Sequence, residues 1–110
     1  MKLTIEIDDS KYIKSYLSVV SLGVLECLEK GLLDFDDAIN MVYFLNMVDR
    51  TKVLSADLSD AILWGTQLED VYNHVPHKMK LAIEDIRKLN YKSIELAKDN
   101  EQHVFYTLEK

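Results

Sequence analysis

The chain has 110 residues, 48% of them hydrophobic, with three Gly, one Pro and a net charge of −6. That length fits one domain able to bury its own core, and the scarcity of Gly and Pro excludes a disordered chain or a loop-rich sandwich. The negative charge disfavours nucleic acid as a partner, because a polyanion meets an opposing overall field.

Lys2 to Asp8 alternates apolar and polar residues, with Leu3, Ile5 and Ile7 on one side and Lys2, Thr4 and Glu6 on the other. Val104 to Leu108 does the same. A two-residue period belongs to a half-buried strand, and two lone strands persist only if they pair and lie on helices. The termini are therefore expected to form one small sheet, parallel or antiparallel.

Four helices are expected between the strands. Ser10 caps the first, which runs to about Lys30 and is closed by Gly31. Its apolar residues, Ile13, Leu17, Val20, Val24 and Leu28 with Tyr12, Tyr16, Val19 and Cys27 beside them, leave little surface for water, the pattern of a central element. Asp34 caps the second, running to about Asp49, with Asp36 and Asp37 in its first turn and Phe35, Ala38, Ile39, Val42 and Leu45 as its stripe. Ala38 to Val48 is too short and too interrupted to span a bilayer.

Ser55, Asp57 and Ser59 compete to cap the third helix, whose apolar residues include Leu58, Ala61, Ile62, Trp64, Leu68, Val71 and Tyr72. Pro76 breaks the chain near His74 to Pro76 and suits the first turn of the fourth helix. That helix runs to about Lys98 and turns Met79, Ala82, Ile83, Ile86, Leu89, Ser93, Ile94 and Ala97 inward; Asp99 and Asn100 then lead into the last strand. The expected fold is α+β and mostly helical: one domain over residues 1–110, two helical hairpins forming a four-helix core, with the two-stranded terminal sheet on one face.

Charge is unevenly spread. Val53 to His77 holds Asp57, Asp60, Glu69 and Asp70 with no Lys or Arg, a net of −4, whereas Lys78 to Lys98 nets +3. The plain account is two solvated helix faces of opposite sign. The functional account is an acidic surface that steers a basic protein into contact, enlarged by Asp34, Asp36 and Asp37 if the fold brings them together.

The remaining candidates are thin. His74 and His77 flank Val75 and Pro76, but zinc needs three or four ligands, and only His103 with Glu69 or Asp70 could add to them. Asp34, Asp36 and Asp37 lack the register of a calcium loop. Cys27 reads as a small buried hydrophobe, and one cysteine forms no internal disulfide. Glu69, Asp70 and His74 lack a nucleophile or oxyanion donor. Gly23 and Gly65 fall inside helices and read as close-packing positions. No catalytic residue, metal or cofactor is expected. Met1 to Asp8 lacks a signal peptide's basic start and apolar stretch, which points to the cytoplasm.

The run Gly65-Thr66-Gln67-Leu68-Glu69-Asp70-Val71, followed by Val75-Pro76, resembles a segment of small uncharacterised bacterial proteins of about this length. Some proteins of this kind are immunity proteins that neutralise a co-encoded toxin, and the resemblance implies a non-catalytic interaction module of that sort. Two other readings stand beside it: a homodimer whose sheet edges pair between chains, and a small-molecule or metal-binding protein with a pocket near His74 and His77.

Overall fold

The structure is a computed structural model that describes residues 1–95 and 104–110. The chain runs β1 (Lys2–Ile7), α1 (Ser10–Glu29), α2 (Phe35–Met41), α3 (Leu45–Thr51), α4 (Ala56–Thr66), α5 (Leu68–His74), a 3₁₀ turn at Pro76–Lys78, α6 (Met79–Ser93) and β2 (Val104–Glu109). The α+β class and the paired termini stand, and the sheet is antiparallel, with Leu3 opposite Leu108, Ile5 opposite Tyr106 and Ile7 opposite Val104. Cross-strand partners share a face, so all six apolar residues lie on one side. The sheet meets α1, where burial and the neighbouring Tyr106 hydroxyl raise the Tyr16 phenol above its ordinary pKa.

Asp9, not Ser10, caps α1, its carboxylate accepting from the amides of Lys11 at 2.9 Å and Tyr12 at 3.3 Å. Gly31 closes the helix as expected. At φ 72° it lets the Leu32 amide reach the Cys27 carbonyl at 2.8 Å and its own amide reach Leu28 at 3.1 Å, satisfying two end carbonyls. Asp34 caps α2 in a reciprocal box with Asp37, and Ser55 caps α4. Ser59 is no cap; it is buried and donates to the Val48 carbonyl at 2.8 Å, tying α4 to α3.

The expected second and third helices are each broken in two. After Met41, the Tyr43 amide turns back to the Ala38 carbonyl and the chain opens at Val42, a run of β-branched and aromatic residues that gives up helix cheaply. The break sends Val42 and Tyr43 into the core and leaves Leu45, expected on the stripe, exposed together with Met41. At the second break the Thr66 hydroxyl takes the Leu63 carbonyl at 2.6 Å, the group the Gln67 amide would use, and Gln67 bonds Trp64 instead. α5 sets off from there on its own axis, leaving Trp64 and Tyr72 exposed rather than in the core.

The central element is α4, not α1. It packs on α6, α3 and α1 and buries Leu58, Ser59, Ala61, Ile62 and Gly65. On α1 only Ser18, Ser21, Val24 and Leu25 are buried; Val19 is exposed and Cys27 half-buried. The Tyr43 ring lies on Gly65 so closely that a Cβ there would sit 2.3 Å from it. Gly23 has open space around it and no packing role. The Tyr43 hydroxyl meets Ser21 Oγ at 2.8 Å and Ser21 O at 3.1 Å, and Asn90 Nδ2 donates to Ser21 Oγ at 2.9 Å. These bonds join α1, the α2–α3 break and α6 across the core.

α6 begins as Pro76 predicts but ends at Ser93, with Ile94 extended and Glu95 bonded to Ser15 of α1. Its expected continuation to Lys98, the inward placement of Ala97 and the turn at Asp99 and Asn100 lie outside the described residues. Arg87 joins α6 to the end of α1 through Glu26 at 3.3 Å and Glu29 at 2.9 Å, and also pairs with Glu84.

Two outcomes follow from this packing. Gly65→Ala should lower unfolding stability in urea by about 1–3 kcal/mol, because the methyl displaces the Tyr43 ring. Gly23→Ala, with free space, should raise it by about 0.5–1 kcal/mol. The Arg87 bond holds the Glu29 carboxyl below the ordinary carboxylate range, against a smaller opposing effect of burial. A lowered carboxylate stabilises the fold above that range and loses the effect as pH falls through it. The stability gap between the native chain and Arg87→Met should therefore narrow as urea titrations move from about pH 7 to about pH 3.

Candidate interaction surface

The acidic stretch maps onto α4 and α5. Asp57 and Asp60 lie one turn apart on one stripe of α4, Asp60 exposed and Asp57 half-buried, and the stripe continues to Trp64. Glu69 and Asp70 are exposed in the first turn of α5. Eight residues separate Asp60 from Glu69, with the break at Gln67 among them. The four carboxylates thus form two pairs, one at the start of α4 and one at the start of α5.

Three of the four have a local structural reason to be acidic. Asp57, Glu69 and Asp70 sit in first turns, where the helix dipole favours negative charge; Asp60 does not. None of the four makes an ion pair among the described residues. Glu26, Glu29 and Glu84, by contrast, converge on Arg87, which ties each of them into a contact within the molecule.

The fold also brings the second acidic cluster next to the first. The Phe35 and Tyr72 rings meet with centroids 5.6 Å apart, which sets the start of α2 against α5. Glu69 faces a small recess shared with Phe35, Ala38 and Ile39. Asp34, Asp36 and Asp37, at the head of α2, therefore continue the acidic surface from Glu69.

Two larger recesses flank the turn between α5 and α6. One, of about 540 Å³, lies between Leu33, Phe35, Tyr72, Pro76 and Met79. The other, of about 630 Å³, is an open trough between α6 and the arm formed by Trp64, Val71 and Val75. His74 and His77 are exposed and line neither recess. Among the described residues no three His, Cys, Asp or Glu side chains gather to hold a metal; His103 lies outside them. No helix among the described residues is long and apolar enough to cross a membrane.

The acidic residues were visible in the sequence as a one-signed stretch. Recesses do flank the turn between His74 and His77, where a pocket was expected, but their walls come from residues as distant as Phe35, Trp64 and Lys92, and which of these meet was not legible in the sequence. The one available signal was a Thr at position 66, able to compete for a helix carbonyl.

No curated protein and no solved structure matches the chain. A family model does, over residues 8–109, nearly the whole length. The chain belongs to the family described as proteins of unknown function, DUF3969.

Proposed function

We propose that the protein is a non-catalytic interaction module, an immunity- or antitoxin-like bacterial inhibitor that presents the acidic surface of α4 and α5 to a basic protein partner. The observation that carries this reading is the contrast in how charge is used. Asp57, Asp60, Glu69 and Asp70 face outward without ion pairs among the described residues, while Glu26, Glu29 and Glu84 are held by Arg87. Unspent surface charge of one sign accelerates encounter with an oppositely charged protein and disfavours wrong partners. The head of α2 extends that surface beside Glu69.

The test is pull-down of a protein partner on the full chain, followed by calorimetry of its binding. Reversing the four carboxylates to Lys should weaken affinity about tenfold or more and flatten its dependence on salt. Affinity unchanged by the four reversals and by salt would sink this reading.

A second reading rests on the sheet. It has two strands, hence two outer edges, and its distal apolar pair is uncovered, Leu3 being 60% and Leu108 66% exposed. Edge-to-edge pairing of two chains would cover that end and make a homodimer. Sedimentation velocity at high micromolar concentration should then show a dimer that Leu3→Lys with Leu108→Lys converts to monomer; monomer throughout would remove the reading.

A further inference from the structure

The trough between α6 and the α4–α5 arm has an apolar floor and a basic rim, on a chain whose net charge is −6. Its floor is made by Val71, Val75, Ala82 and Leu89, and Trp64 and Leu81 stand over it, 55% and 67% exposed. Lys78, Lys88 and Lys92 line its margin against one carboxylate, Asp85, a local net of +2. None of the three lysines makes an ion pair among the described residues.

We infer that this trough is a docking groove for an acidic amphipathic helix of a partner protein. Length, shape and charge each argue for that occupant. From Lys78 to Lys92 the groove runs fourteen residues along α6, roughly 21 Å, which matches three to four turns of helix. The residues bordering it recur along α6 at helical spacing, so the trough lies parallel to a helix and presents a continuous apolar track, the shape into which a helix lays anchors at i, i+3 or i+4, and i+7. A small-molecule site encloses most of its ligand, whereas here Trp64 and Leu81 stay largely open. The unpaired lysines along both the length and the ends select Asp and Glu on the flanks of the incoming helix and repel a basic one. Trp64 is the natural anchor, since an exposed indole beside an apolar floor is the side chain that gains most from being covered.

This groove borders the acidic stripe of α4 at Trp64, but its lysines lie on the α6 side and its occupant has the opposite charge, so reversing Lys88 and Lys92 tests it apart from Asp57, Asp60, Glu69 and Asp70. Trp64 is the chain's one tryptophan, and its fluorescence reports on the groove directly. The experiment is selection of a displayed library of random peptides, about sixteen residues long, on the full chain. Each enriched peptide is then titrated against the native chain, Trp64→Ala and the double variant Lys88→Glu with Lys92→Glu. The lysine variant changes exposed side chains only and keeps the test valid if Trp64→Ala proves unstable by thermal melting. The expected result is enrichment of peptides with helically spaced apolar residues flanked by Asp and Glu. Their binding should shift Trp64 emission and weaken tenfold or more in the lysine variant.

Three outcomes overturn the proposal: no enrichment, enriched peptides that are basic or indifferent to the lysine reversals, or a groove occupied by something else. The last would show as binding to phosphatidylglycerol vesicles, or as a dimer in sedimentation, that the lysine reversals abolish while no peptide competes.

Discussion

The arrangement of this protein depends on one close contact, the Tyr43 ring against the backbone of Gly65. A helix offers such a flat, bare patch only where it has a glycine, and α4 places one, Gly65, on the buried side of its last turn. Filling that patch with a ring requires Tyr43 to point across the molecule, which a residue in a continuous helix through residues 35–49 could not do while Val42 was also buried. The break after Met41 resolves the conflict: it costs a few backbone bonds and delivers two fully enclosed side chains. Once there, the ring carries a hydroxyl into an apolar interior, and an unbonded one would cost more than the packing returns. Ser21 and Asn90 meet that need with a directional chain: Asn90 donates to Ser21 Oγ, Ser21 to Tyr43, and Tyr43 to the Ser21 carbonyl. Buried serines on α1 thereby make sense, since small hydroxyl side chains let α1 come close while satisfying what it covers.

This contact also explains which parts of the fold were legible in the sequence. Strands, end caps and the proline break are local: the alternation at Leu3, Ile5 and Ile7, Gly31 at a left-handed position, Asp34 with Asp37, Ser55 and Pro76 each act within a few residues. The breaks at Val42 and Gln67 are set by distant partners or by competition for one carbonyl. Apolar spacing ran straight through both, so Leu45, Trp64 and Tyr72 kept their place on an ideal stripe that the chain does not build. The same reasoning mistook α1 for the centre: counting apolar residues measures how much could be covered, whereas α4 is central because neighbours lie on three of its sides.

The candidate surfaces divide along the same line. Charge sign is written in the sequence, and the stretch from Val53 to His77 needed only counting. Whether those charges stay available depends on who neutralises whom, and that is tertiary: Arg87 lies 61 positions from Glu26 and 58 from Glu29, yet takes both. The trough is more remote still. Trp64 and Lys88 face one space although they lie on different helices, a juxtaposition that no local pattern announces.

A basic trough on an acidic protein is electrically coherent because screening is short-ranged. At physiological salt the Debye length is about 8 Å, so an approaching segment responds to the lysines it is about to touch far more than to carboxylates on the opposite flank. Net charge governs how the molecule behaves in bulk, and local charge governs what settles on each face. The molecule thus carries two fields of opposite sign, with Asp57, Asp60, Glu69 and Asp70 on the α4–α5 arm and Lys78, Lys88 and Lys92 along the trough, and Trp64 stands where the two meet.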